Sequence, residues 1–350
     1  MKTWDVIVIG GGIIGLSLAI ALRKRGAAVL VVERAEPARE ASHAAAGMIE
    51  DFGVAPPLKS LAIASARMYP EFAHQLHDES GIDVDLRDHG TLLLEPPESS
   101  GFPALDVSQL AQIEPCFHPP EVSIIHLPER SVDPRALSAA ALKAAKHREV
   151  DIVTGSSVEQ VLISDGRVAG VMTNRSTYHS AVVVNCAGAW AGQVPPHAFP
   201  TRPVKGQMLA VVGGPKLNHV IRSREVYLVP RTDHRIVIGA TMEEAGYDKR
   251  TDPGSIQRLH HAALRLVPAL AAGRIHEAWA GLRPGTPDDL PILGATPTPG
   301  YFVAAGHFRD GILLTPITAH VMAQLVSGET PDYDLSAFSA ARFAQTVAVV

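Results

Sequence analysis

The chain has 350 residues, 46% hydrophobic and 19% charged, which describes a globular protein with a substantial core and excludes a disordered one. A net charge of −5 without any basic stretch argues against nucleic acid as a main partner, and two cysteines, Cys116 and Cys186, are too few for a disulfide framework or a cysteine zinc site. The first apolar run is too short for a signal peptide or a membrane span, so a cytoplasmic protein of one or two domains without an integral membrane segment is expected.

That apolar run, residues 6–9, is β-branched and ends in three glycines. A helical pattern follows, with Ile14, Leu18 and Leu22 on one face, and stops at Gly26; a second apolar run over 28–32 ends at Glu33. Strand, glycine turn, helix, strand and carboxylate form the order of a dinucleotide-binding βαβ unit. Gly10 makes the tight turn, Gly12 lets backbone approach a pyrophosphate, and Gly15 allows close helix–strand packing. The first N–H groups of the helix offer partial positive charge to phosphates, and Glu33 stands near the ~20 positions expected for the acid that holds a ribose.

Beyond it, the small residues 42–48 suit a helix start pressed against something bulky. Residues 61–79 read as an amphipathic helix (Leu61, Ala64, Met68, Phe72, Leu76) ending before Gly81, and His74 and His77 on it read as solvated. A strand is expected over 90–95 and a surface loop over 96–103. Asp133-Pro134 starts a helix as N-cap and first position. A strand over 151–154 and a hairpin over 160–172, turning at Asp165-Gly166, come next. Residues 181–185 form a strand ending in Asn185-Cys-Ala-Gly188-Ala-Trp190, small residues at the sheet edge where open α/β sheets hold ligands. Residues 204–282 change to alternating strands (204–212, 226–230, 235–241) and one helix (255–266), a second sheet of antiparallel type. A strand over 301–305 and a helix over 316–325 close the pattern. The nucleotide-binding domain is therefore discontinuous, 1–85, 131–203 and 283–350, and encloses a substrate domain, 86–130 and 204–282.

His276-Glu-Ala-Trp-Ala280 lacks the second histidine of a metalloprotease helix, and neither a G-x-S-x-G elbow nor a Walker loop occurs. The βαβ unit by itself leaves FAD, NAD and a non-catalytic nucleotide-binding module open.

Further motifs decide among these: Ala44-Ala-Ala-Gly47-Met48, Val132-Asp-Pro-Arg135, Val204-Lys-Gly206, Tyr227-Leu-Val-Pro-Arg231, Ile238-Gly-Ala-Thr-Met242, Gly281-Leu-Arg283-Pro-Gly-Thr286 and Gly306-His-Phe-Arg-Asp-Gly-Ile-Leu-Leu314. With the glycine turn, they make the chain resemble the D-amino acid oxidase superfamily of flavoenzymes, most of all its glycine oxidases. The matches run the full length and are thinnest over 51–130 and 193–225. The resemblance implies a Rossmann-like α/β FAD-binding domain beside an antiparallel-sheet domain, and non-covalent FAD. It implies oxidative deamination of glycine or another small amino acid by hydride transfer to flavin N5, with O2 reduced to hydrogen peroxide. The imine then hydrolyses or feeds thiamine synthesis. Sarcosine, proline and D-amino acid oxidation, or a dehydrogenase, are the alternatives within the superfamily. A homo-oligomer is compatible with all of them.

Carried over by position, the resemblance puts Ile13, Ile14, Gly15, Glu33, Arg34, Ala41, Ser42, Ala46, Gly47 and Met48 around FAD, Val158 at the adenine, and His307, Phe308, Arg309, Asp310, Gly311, Ile312 and Leu313 beside the flavin ring. Arg283, in the 281–286 turn, is the expected carboxylate clamp, because a guanidinium fork binds a carboxylate bidentately. Tyr227 and Arg309 are expected to touch the same substrate, and Met242 to line its pocket. The helix beginning near Thr315 is expected to aim its positive end at the flavin.

Overall fold

A computed structural model describes residues 3–96 and 101–347. Strands and helices are numbered along the chain. A six-stranded sheet runs in the order β7 (Asp151–Val153), β2 (Val29–Val32), β1 (Val6–Ile9), β11 (Val183–Asn185), β18 (Tyr301–Ala305), β17 (Ile292–Ala295). All pairs are parallel except the edge pair β17–β18. Both faces are covered, so the strands read as unbroken apolar runs. In β1, Val6 and Val8 face a core shared with the helices α1 (Ile13–Lys24), α3 (Lys59–Ser80), α5 (Pro134–His147) and α7 (Thr315–Val326). Ile7 and Ile9 face the opposite core, which reaches the meander β8 (Val158–Ser164), β9 (Arg167–Thr173), β10 (Thr177–His179).

Local chemistry explains the boundaries. Asp133 caps α5 by accepting from the Arg135 and Ala136 N–H groups, and α3 stops where Gly81 turns left-handed at φ 68°. Asp165 and Gly166 both have positive φ, as a two-residue hairpin of this kind requires. The buried stripe of α3 runs through Leu61, Ser65, Tyr69, Ala73 and Leu76, so Ala64, Met68 and Phe72 flank it rather than form its centre. His74 is exposed and pairs with Asp78 at 3.4 Å. The expected loop over 96–103 falls partly outside the described residues; Gly101, Phe102 and Pro103 are exposed.

A seven-stranded sheet has the order β16 (Arg274–Gly285), β12 (Arg202–Val212), β15 (Ile236–Gly239), β14 (Tyr227–Pro230), β13 (Val220–Arg222), β4 (Thr91–Leu94), β5 (Ile124–Leu127), antiparallel except at β13–β4. One face is apolar (Leu209, Val211, Ile221, Leu228, Ile238) and packs on α6 (Pro253–Leu266) and α4 (Val107–Ile113). The other face looks toward the parallel sheet. The short helix α2 (Ala41–Ala44) and the two-stranded pair β3 (Met48–Ile49)–β6 (Arg130–Ser131) lie at that junction. The expected turn over 281–286 is instead mostly the end of strand β16, paired with β12 through Arg283 and Gly285. Among the described residues, no helix is long and apolar enough to cross a membrane.

Candidate active site

Between the two sheets lies one cavity of about 680 Å³, within the range of ligand sites. At one end is the glycine turn. The peptides of α1's first turn have no intrahelical acceptor, α1 carries no acidic residue there, and its N-cap Gly12 supplies no side chain. Ile13 N–H donates to Ser42 Oγ at 3.0 Å. Gly12, Ile13 and Ile14 line the cavity, so this positive helix end opens into it. Gly10 (φ 100°) presses on Cys186, where an added Cβ would lie 2.6 Å from the carbonyl oxygen. Gly15 is the one expected cofactor residue away from the cavity wall: its Cβ would meet Gly10 O at 2.0 Å, which is the helix–strand contact foreseen for it. Glu33, 8% exposed, accepts from Gly11 N–H at 2.8 Å and Ala35 N–H at 2.9 Å and keeps its carboxylate on the cavity. The Arg34 guanidinium lies 3.6 Å over the Trp190 ring, which packs on Tyr247. Val158 and Gly188 complete this end.

The middle of the wall is built from two turns. Ala41, Ser42, Ala46, Gly47 and Met48 line one side. Their small size serves a close approach: a Cβ on Gly281 would sit 2.4 Å from Ala44 Cβ, and Trp279 Nε1 donates to Ala44 O at 3.0 Å. Buried Arg231 donates to the Ala46 carbonyl and ties this turn to the second sheet. Residues 307–313 line the other side. Two buried α3 hydroxyls fix that turn, Ser65 Oγ donating to Leu313 O at 2.6 Å and Tyr69 Oη to Ile312 O. His307, 3% exposed, is held by Thr318 Oγ1 at 3.1 Å, and burial pushes its pKa down to about 4, so its ring is neutral at pH 7. Burial pushes Asp310 up to about 6, with Arg309 opposing and Glu50 adding to the rise. Helix α7 starts two residues after the last of these wall residues.

The far end is the inner face of the seven-stranded sheet. Registered pairs link Arg222 to Tyr227, Tyr227 to Gly239, Gly239 to Met208, and Met208 to Trp279. Directly opposed residues point to the same face, so Arg222, Tyr227, Met208 and Trp279 rise from one row across five strands. Arg283 stands on that face four residues beyond Trp279. Its Nη1 donates to Thr241 O at 3.1 Å, and Gly206 leaves it room, since a Cβ there would be 2.3 Å from Nη1. Gly239 likewise makes room for the Tyr227 ring. The Tyr227 hydroxyl lies 3.7 Å from Met208 Sδ; burial raises its pKa, Arg283 lowers it and Glu50 raises it. Arg309 is exposed, its guanidinium 5.7 Å from the Phe308 ring, and Met242 is a rim residue, 60% exposed.

Sequence reading missed an ionic group at this end. Arg222 Nη1 lies 2.8 Å from Glu50 Oε2 and 3.3 Å from Glu129 Oε2, and burial pushes Glu129 up to about 7. Arg222 falls in the stretch where no motif matched, and only the β13–β14 register reveals where it points. Among the described residues, no cluster of His, Cys, Asp or Glu suits a metal ion. The helix end without an N-cap side chain, the ribose-type carboxylate and the volume of the cavity fit a dinucleotide; the small residues on one side of its middle leave room for a planar ring.

Comparison with known proteins agrees with this geometry. The family model described as FAD dependent oxidoreductase (DAO) matches residues 5–325. The chain is 38% identical, over 97% of its length, to the bifunctional protein ThiO/ThiG of Trichormus variabilis, of which it covers 55%. It thus spans about half the length of the first curated relatives it matches. It is 31% identical to the glycine oxidase of Geobacillus kaustophilus over 99% of both chains. The crystal structure of glycine oxidase from Geobacillus kaustophilus superposes with a TM-score of 0.92, covering 98% of this chain and 99% of that one at 31% identity. The dinucleotide is therefore FAD, and the chain belongs to the DAO family of FAD-dependent oxidoreductases.

Proposed function

We propose that this chain oxidises glycine or another small α-amino acid to its imine, with the electrons passing to O2 to give hydrogen peroxide. The observation that carries the reading is the convergence of Arg283 and Tyr227 on one cavity whose opposite end is a dinucleotide cradle. FAD, when bound, supplies the two-electron acceptor for the substrate Cα–H bond. The residues do the rest. Gly10 to Ile14 and Glu33 hold the phosphate and ribose end, and residues 307–313 with Ala46 to Met48 flank the ring. Arg283 grips the α-carboxylate through its fork, and the Tyr227 hydroxyl adds one hydrogen bond. With the acid thus fixed, Cα is the atom presented to the ring, and the amine must be neutral when its Cα–H bond breaks. No side chain need act as general base on carbon. We further propose that the parallel sheet with its helices acts as the cofactor domain, and the seven-stranded sheet as the substrate domain.

The test is anaerobic addition of glycine to the FAD-loaded protein, followed by aeration. Bleaching of the flavin absorbance and then stoichiometric peroxide support an oxidase. Bleaching without reoxidation by O2 points to a dehydrogenase, and no bleaching by any small amino acid refutes the reading.

A further inference from the structure

Three buried atoms of the ionic group at the substrate end make no hydrogen bond, Glu50 Oε1, Glu129 Oε2 and Arg222 Nη1, and of these Glu50 Oε1 alone has no ion-pair contact either. Glu50 follows β3 and lines the cavity; its Oε2 pairs with Arg222, while its Oε1 is buried and accepts no hydrogen bond. A buried carboxylate oxygen left so is costly and calls for an explanation. Arg222 does not fill it: its Nη1 contacts the other oxygen of Glu50 and that of Glu129, whose side chain is 2% exposed. Two carboxyl groups, Glu50 and Glu129, share the Arg222 guanidinium, and Glu50 also lies close enough to Asp310 to raise its pKa, while Arg309 lies out on the exposed side. The Tyr227 hydroxyl feels both Glu50 and Arg283, so it stands between the anionic group and the clamp. This wall presents a cation and an anion to one small space, the pattern that matches a zwitterion.

We propose that Glu50 Oε1 receives the ammonium of the bound amino acid and takes up one of its protons before the Cα–H bond breaks, with Arg222 and Glu129 positioning the carboxylate, so that Glu50 selects α-amino acids over α-hydroxy acids. The proposal rests on the amino acid oxidase reading and adds to it the residue that recognises the amine. A charge-assisted hydrogen bond to a buried carboxylate is strong enough to decide between an ammonium and a hydroxyl. Glu129 does not compete for this role, because its position behind Arg222 keeps it off the cavity wall.

The test uses the FAD-loaded full chain and two ligands of one size, glycine and glycolate. The dissociation constant of glycine comes from the saturation of flavin reduction in anaerobic mixing, and that of glycolate from its perturbation of the flavin spectrum. In E50Q, glycine should bind at least tenfold more weakly, while glycolate should change by less than threefold or bind more tightly. Equal weakening of both ligands, as a merely structural role would give, overturns the proposal, as does glycine binding that is unchanged. Should E50Q not fold, E50D is to be compared in the same way, since it keeps the charge but draws it back from the cavity. A wild-type protein that binds glycolate and glycine with equal affinity overturns the proposal alone. One that binds neither overturns the amino acid oxidase reading together with it.

Discussion

Replacing Gly206 by alanine places a methyl carbon 2.3 Å from Arg283 Nη1, 2.5 Å from Nη2 and 2.6 Å from Cζ. Ordinary contact begins near 3.4 Å, so the guanidinium must retreat by about 1 Å. The obstacle is the far end of a flexible side chain, and Gly206 lies in a strand with backbone that alanine accepts. Alanine also loses less conformational freedom on folding than glycine, by roughly 0.5–1 kcal/mol, which offsets the crowding. The melting temperature should therefore shift by no more than a few degrees. A displacement of about 1 Å in a substrate-positioning group costs on the order of a hundredfold in rate, or about 2.7 kcal/mol. Steady-state peroxide production from glycine by G206A should show that loss in kcat/KM, with FAD content and Tm close to wild type. A folded G206A within threefold of wild type would mean that Arg283 does not touch the substrate.

Arg283→Ala should remove about 3 kcal/mol of carboxylate binding, a hundredfold or more in kcat/KM for glycine, and a loss below threefold would place the clamp elsewhere. Tyr227→Phe should cost about 1 kcal/mol, the worth of one hydrogen bond, and a loss equal to that of Arg283→Ala would give the tyrosine a larger part. Glu33→Ala leaves the Gly11 and Ala35 N–H groups unpaired and removes the ribose acceptor, so FAD affinity in equilibrium dialysis should fall at least tenfold; unchanged affinity would exclude Glu33 from the cofactor site. His307 has a folded pKa of about 4 against 6.5 unfolded, so the unfolded chain binds the extra proton between those values. The stability that the neutral ring contributes is present above pH 6.5 and lost as pH falls toward 4, by about 3 kcal/mol in all. Urea denaturation should show the wild type losing this much relative to His307→Gln across that window; parallel pH profiles would contradict the burial of a neutral imidazole.

The cofactor half was legible because its signals are local. Glycine spacing, a β-branched run and a terminal acid lie within 30 residues, and each has one mechanical use. The substrate half was legible only as isolated motifs. Strand β16 escaped because much of it is half-exposed and its end carries Gly281, Pro284 and Gly285, which read as a turn; pairing with β12 over eleven positions overrides that. Helix α4 could have been found, since Asp106 and Gln109 form a capping box three residues apart. No local signal could reveal the Glu50–Arg222–Glu129 group. Its members come from β3's end, β13 and the approach to β6, and only the register of strands distant in sequence brings their charges to one face. The same register puts Tyr227 and Arg222 side by side, although the motif matching reached only the first.

The visible absorption spectrum of the purified protein, recorded before and after addition of FAD and removal of the excess, reads out whether a flavin dinucleotide lies in the cavity between the two sheets. Retained flavin absorbance at one FAD per chain, reduced in proportion by Glu33→Ala, is the expected result. A folded chain that stays colourless would contradict it.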